Sequence, residues 1–254
     1  MLESGNWRMG EGTVDKVLLI AGELSARGSV TYTLNLAKGL LGKGCEPLVV
    51  SKGGPLLGAF ERVGVQVDRT DALGKPIYDL FAFRRYLRSI APRDLKLVHV
   101  QTHAQLRHGL RAGRMLNIPV VLTVHHFFEP GETLRFSKKY LRGILAVSQA
   151  IREDIVNTAK IPRELVRVAR TGIDMEAAEA CRARRNPGKV PVIGTIGMLT
   201  RVKGNEYFIK AAREVLDRGH KAHFVVAGKG EENARLRKPV SYTHLRAHET
   251  SLHL

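Results

Sequence analysis

Cysteine is nearly absent from these 254 residues: Cys45 and Cys181 stand far apart with no partner motif, which excludes a disulfide framework and a zinc knuckle and suits a reducing cytosol. Aromatics are scarce as well, at 6%, and no nucleic-acid motif is present. A basic nucleic-acid-binding module therefore lacks a stacking platform and ranks last among the readings below; no nucleic-acid partner is expected. No stretch of about eighteen uncharged apolar residues occurs, and the opening MLESGNWRMGEGTVDK has no apolar run before Val17, so neither a membrane span nor a signal peptide is expected. Acidic residues are few: 24 Asp and Glu face 41 Lys and Arg, a formal charge of +17. Such a surface draws polyanions, anionic lipid or phosphorylated small molecules, and any contact with a membrane is peripheral.

What is present is ordinary globular material, 44% hydrophobic and 26% charged, in which strand, glycine-bearing loop and helix alternate. Apolar runs at Val17–Ile20, Leu48–Val50, Val65–Val67, Leu97–Val100, Val120–Val124 and Ile144–Val147 predict buried parallel strands. Between them, Val30, Leu34, Ala37 and Leu41 share one helical face, Leu56 to Val63 reads as a short helix, and Leu80, Phe83, Leu87 and Ile90 mark another. An arginine-rich helix separates the strands ending at Val100 and beginning at Val120. Ser148 is placed to cap a helix over Gln149–Asn157, because its hydroxyl can accept from a backbone N–H in the first turn. The fold class is α/β. A disordered tail at 1–14 precedes an N-terminal Rossmann-like domain with a parallel sheet over 15–180. The polar RARRNPGK places a linker at 181–190. Over 191–239 a strand, a helix from Gly204 to Leu216 and a second strand begin a further Rossmann-like domain, which one βαβ unit leaves incomplete.

The last stretch departs from this pattern. VSYTHLRAHET, from Val240 to Thr250, matches the translation of a DNA word that resembles a library-preparation transposase adapter, so 240–254 is expected to be a non-native tail. The competing reading, a metal site from His244, His248 and His253, is remote beside eleven consecutive matches. No metal or cofactor is expected.

Chemistry-bearing residues gather where strands end. GELSARG follows the first strand, at the sheet edge where open α/β sheets bind ligands. Gly22 and Gly28 do not form the dinucleotide fingerprint or a Walker loop, which weakens a nicotinamide enzyme. Gly28 is left to bring a helix N-terminus near an anion or sugar oxygen, although a plain turn fits equally. His125 and His126 directly follow the strand VVLTV, and there a catalytic and a structural histidine are evenly matched. His99 and His103 end the preceding strand, where structural or acceptor-lining roles fit better. In the second unit, Arg201 and Lys203 lie between a strand and a helix N-terminus, and Gly228 and Gly230 end the next strand. Solvated loop charge is the commoner fate of Arg and Lys, but the repetition at one edge points to a pyrophosphate site.

In order and spacing, these stretches resemble family-4 glycosyltransferases: SKGGPLLGAFERVGV, LVHVQTHAQ, IPVVLTVHH, AVSQAIREDIV, RTGID, GTIGMLTRVKGNEYFIKAA and VVAGKGEE. The resemblance runs from the first strand to Leu236. It implies a GT-B fold of two Rossmann-like domains, and a retaining transfer of a sugar from a nucleoside-diphosphate donor to an acceptor hydroxyl without a metal. His125 matches the family's histidine beside the reacting sugar, and Lys203 its pyrophosphate lysine. Gly28, His103 and His126 are assigned to substrate, and Arg201, Gly228 and Gly230 join Lys203 on the donor phosphates. The implied partners are a nucleotide sugar and a saccharide or lipid-linked acceptor of cell-envelope polysaccharide, lipopolysaccharide or glycolipid synthesis. A cytoplasmic location follows, with peripheral contact at the anionic inner face of a membrane. Three departures stand out: Met198 replaces the arginine five residues before Lys203, with Arg201 the candidate substitute; Thr171 replaces an asparagine; and the family's later acidic region is absent, so the fragment is expected to be inactive. The alternative enzyme is a GT-B sugar-nucleotide epimerase.

Overall fold

The computed structural model describes residues 14–73, 78–129, 131–134, 136–173, 175, 178–179, 190–240 and 246–247, with backbone alone at 78–80, 237–240 and 246–247. The chain divides into two units, Met1–Met175 and Glu176–Leu254. Apart from Val190, the proposed linker at 181–190 lies outside the described residues; so do most of the tails assigned to 1–14 and 240–254.

In the first unit the strands are β1 (Lys16–Ile20), β2 (Glu46–Ser51), β3 (Gln66–Arg69), β4 (Leu95–Val100), β5 (Val120–Val124), β6 (Leu141–Ala146) and β7 (Val166–Val168). They form one sheet in the order β3-β2-β1-β4-β5-β6-β7, and every neighbouring pair is parallel. The helices are α1 (Gly28–Leu41), α2 (Leu57–Arg62), α3 (Tyr78–Ile90), α4 (Leu106–Leu116) and α5 (Gln149–Asn157).

Alternate residues of a strand point to opposite faces, so a continuous apolar run fills two cores. On β1, Leu18 and Ile20 join Phe83 and Leu87 of α3 and Ile151 and Ile155 of α5. Val17 and Leu19 join Val30 and Ala37 of α1 and Phe60 of α2 on the other side. Helices therefore cover both faces, and each large side chain so buried contributes about 1.5–3 kcal/mol. The buried side of α1 runs through Val30, Thr33 and Ala37, whereas Leu41 is 36% exposed; the face anticipated from Leu34 and Leu41 is rotated toward Thr33.

α4 lies tight against the sheet. A Cβ added to Gly109 would overlap the Val100 side chain, and one on Gly113 the Val120 side chain, with the Ile118 carbonyl oxygen only 3.0 Å away. As anticipated, Ser148 caps α5: the Ile151 N–H donates to its Oγ at 3.2 Å.

The second unit contains β8 (Val192–Ile196), α6 (Asn205–Asp217), β9 (His223–Ala227), α7 (Asn233–Val240) and β10 (Arg246–Ala247), with sheet order β10-β9-β8, all parallel. Among its described residues, Leu199, Ile209 and Leu236 form a core cluster with Val226 packed against them. Val192 and Ile196 of β8 are 68% and 73% exposed. Among the described residues, no helix is long and apolar enough to cross a membrane.

Candidate active site

Open parallel sheets take ligands beyond the carboxyl ends of their strands, at the point where strand order reverses. In the first unit that point lies between β1 and β4. The loop after β1 leads into α1, whose first turn has no side-chain cap. Its course is fixed by the loop after β2: Leu24 N–H donates to Gly53 O at 2.9 Å, and Leu56 N–H to Leu24 O at 3.0 Å. Gly54 permits this approach, since its φ is +145° and a Cβ there would come within 2.7 Å of Leu24 O. At Gly28 an added Cβ would meet nothing within 4 Å, so the opening of α1 faces unfilled space.

The loops after β4 and β5 bring imidazoles to the same edge. His99, near the end of β4, is buried and its Nε2 lies 2.8 Å from Thr123 Oγ1. Burial, reinforced by His125, pushes its pKa down to about 4. His125 packs edge-on against Tyr32 of α1, with ring centroids 4.9 Å apart. Burial first and then His126 lower its pKa, against the opposing effect of a hydrogen bond to the Gln101 backbone. His103 holds Glu132 through Nε2 at 2.9 Å and packs against the rings of His126, at 4.5 Å, and Phe128, at 5.2 Å. Its pKa is lowered by burial and by His126, while Glu132 pulls the other way. His126 is exposed, with Nδ1 3.2 Å from the Phe127 carbonyl oxygen. His99 and His125 thus stand as neutral imidazoles at pH 7, each offering one donor and one acceptor.

Native proteins pair nearly all buried polar atoms, so unpaired ones ask for an explanation. Here Ser25 Oγ, His103 Nδ1, Gln105 Oε1 and His125 Nε2 are buried with no hydrogen-bond partner among the described residues. All four sit on the loops after β1, β4 and β5, an edge where an ordered water or a polar ligand would complete their hydrogen bonding. His103, His125 and His126 of the sequence-derived set come together here. Glu132, Tyr32, Ser25, Gln101 and Gln105 were not anticipated. Gln101 is buried beside Thr33, whose Oγ1 lies 3.2 Å from its Oε1.

In the second unit, Arg201 and Lys203 occupy one 3-10 turn that leads through Gly204, in the left-handed region at φ +64°, into α6. Both are exposed, and neither makes an ion pair among the described residues. Met198 is 46% exposed in the loop before them, and buried Asn205 donates to its carbonyl oxygen at 3.5 Å. Gly228 and Gly230 have a packing reason to be glycine. A Cβ on Gly228 would overlap Gly197 O, one on Gly230 would overlap Leu199 O, and Leu199 N–H donates to Lys229 O at 2.9 Å. These glycines let the two carboxyl-edge loops approach closely. No group of three metal-ligating side chains occurs among the described residues.

Fold and edge loops together define an α/β protein of GT-B type. The Anabaena HepE protein, solved in complex with UDP-glucose, shares the fold at a TM-score of 0.71 and 17% identity, over 92% of this chain and 68% of that one. The chain belongs to Glycosyltransferase Family 4, whose model matches residues 26–177, and the model for glycosyl transferases group 1 matches 178–251. Alpha-D-kanosaminyltransferase of Streptomyces kanamyceticus is 27% identical over 157 residues, 52% of this chain and 41% of that protein. An uncharacterized glycosyltransferase of Methanocaldococcus jannaschii is 24% identical over 251 residues, 85% of this chain and 63% of that protein. The chain thus spans between two fifths and two thirds of the length of these relatives. The matches favour neither the epimerase nor the nucleic-acid reading.

Proposed function

We propose that the whole protein transfers a sugar from a nucleoside-diphosphate donor to an acceptor hydroxyl, with retention of anomeric configuration and without a metal. The observation that carries this reading is the set of unpartnered buried polar atoms, His125 Nε2 among them, on the carboxyl-edge loops of a chain of this family. UDP-glucose in the related HepE structure supports a nucleotide-sugar donor. In the step envisaged, the anomeric C–O bond to the diphosphate breaks while the acceptor oxygen bonds to the same face of the sugar. The acceptor's proton passes to the departing phosphate oxygen.

Arg201 and Lys203 would neutralise the charge that grows on the diphosphate, an effect worth about 3 kcal/mol per well-placed donor. Neutral His125 would bind the donor sugar rather than carry charge to it. Gly28, His103 and His126 would line the acceptor side, with Gly228 and Gly230 shaping the phosphate loop. The acceptor we favour is a saccharide or lipid-linked saccharide of the cell envelope, met at the cytoplasmic face of an anionic membrane, where a charge of +17 helps.

The test is to incubate the full-length gene product with a set of nucleoside-diphosphate sugars and acceptors and follow product by proton NMR. A glycoside with the donor's anomeric coupling is expected, and Lys203→Ala should lower kcat/KM by about a hundredfold or more. Inverted product, an epimerised free nucleotide sugar, or an unimpaired Lys203→Ala variant would each refute the proposal.

A further inference from the structure

The outer stripe of α4 plays no part in the loops described above. Arg107, Arg111 and Arg114 follow one another at i, i+4 and i+7, on the side turned away from Gly109 and Gly113. With Leu110, Ser137 and Tyr140 they line a hollow of about 430 Å³ between α4 and the segment that enters β6. Lys139 stands over the Tyr140 ring, 5.3 Å from its centroid. No acidic residue occurs in the sequence between Asp94 and Glu129, and none lines the hollow among the described residues. Arg107 and Arg114 form no ion pair among the described residues. Burial, together with the charges of Arg114, Arg84 and Arg107, pulls the Arg111 pKa down.

Like charges one helical turn apart destabilise a helix, and here α3 adds a further guanidinium, Arg84, to the same field. Strand-covering packing does not require them, because the buried side of α4 is made by Leu106, His108, Gly109, Ala112 and Gly113. A multivalent anion would turn the repulsion into attraction. The guanidinium fork pairs in a bidentate manner with phosphate oxygens, and a concave site suits a discrete group better than a flat surface. We propose that this hollow binds a phosphate-bearing anion, a phosphomonoester or diphosphate group, through Arg107, Arg111 and Arg114, independently of the sugar-transfer step and of the phosphate loop in the second unit.

The group could belong to a soluble compound or to a phospholipid head, and the two sources separate experimentally. Equilibrium dialysis with labelled pyrophosphate, and co-sedimentation with phosphatidylcholine vesicles with or without phosphatidic acid, whose head is a phosphomonoester, are run on the full chain carrying Arg201→Ala and Lys203→Ala, which silences the other candidate site. Binding is expected, and Arg107→Gln with Arg114→Gln should weaken it about tenfold or more. Lys43→Gln with Arg62→Gln, the same loss of charge elsewhere, should leave it within about twofold. Saturable pyrophosphate binding identifies a soluble phosphate as sufficient; binding only to phosphatidic acid vesicles, lost in the α4 variant, identifies the headgroup. No binding in either arm, or equal losses in the two paired variants, overturns the proposal.

Discussion

At His99 the cost of burying an imidazole is written into the pH dependence of stability. Its folded pKa of about 4 lies below the ordinary value of 6.5. Between those values the unfolded chain holds a proton on this ring that the folded chain does not, so stability rises with pH through the window and falls as the solution is acidified. A depression of this size corresponds to about 3 kcal/mol. His103 and His125, also lowered, add to the slope below their ordinary range. Denaturant midpoints measured from pH 7 to pH 4 should therefore drop steeply in the parent and less in His99→Gln, whose amide does not titrate. Parallel curves for the two would show that the ring's burial has been misread.

Glu132 is the residue that sequence reasoning had least chance of finding. It lies 29 positions beyond His103, in a loop with no apolar period, and only the tertiary fold brings its carboxylate to the ring at 2.9 Å. Because the carboxylate stabilises the charged imidazolium, Glu132→Gln should lower the already depressed pKa of His103 further. Histidine ring resonances followed by NMR across pH would report this directly. A rise, or no change, would mean that the pair is not formed in solution.

At the level of elements, helix-to-sheet distance decides which residues can be tolerated. α4 approaches β4 and β5 closely because Gly109 and Gly113 carry no side chain where Val100 and Val120 stand. Gly109→Ala gains helix propensity of about 1 kcal/mol, but the new methyl meets a buried, β-branched side chain with little freedom to move. Overpacking of this kind typically costs about 1–3 kcal/mol, so the net change is expected to be destabilising and visible as a lowered thermal midpoint. A raised midpoint would mean that α4 can retreat from the sheet at no cost.

The same close packing explains which elements are legible in the sequence. Strands buried on both faces must be apolar throughout, so β1, β2, β4, β5 and β6 announce themselves, and Ser148 marks the start of α5 through a local hydrogen bond. The placement of His103, His125 and His126 at one edge followed from strand ends alone. Tyr32 against His125 and Gln101 against Thr33 did not, since each pairing depends on which helical face turns inward and on partners far away in sequence. α7 is not legible in the sequence because NARLRKPV carries no apolar period; Leu236 is the buried apolar residue among its described side chains.

At the scale of the whole molecule, the described residues of the two units differ in how much apolar surface they bury. The first has a core on each side of a seven-stranded sheet, with Leu18, Leu19, Ile20, Val49, Val98 and Leu122 showing almost no exposure. Among the described residues, the second buries Leu199, Ile209, Ala212, Phe224, Ala227 and Leu236, while Val192, Ile193 and Ile196 along β8 remain exposed. Ordering each residue costs about 1–2 kcal/mol of conformational entropy, which only a substantial core offsets. Segments with few buried contacts open locally at lower free energy than the global transition. Native-state hydrogen exchange should accordingly find the amides of β1, β4 and β5 protected to the global limit, and those of β8 and β9 exchanging by sub-global opening several kcal/mol below it. Anion binding at Arg201 and Lys203 would slow exchange in the second unit by mass action, so adding a nucleoside diphosphate should raise protection in β8 and α6 while leaving the first unit's slowest amides unchanged. Equal protection across both sheets, with or without the ligand, would show instead that the two units unfold as one.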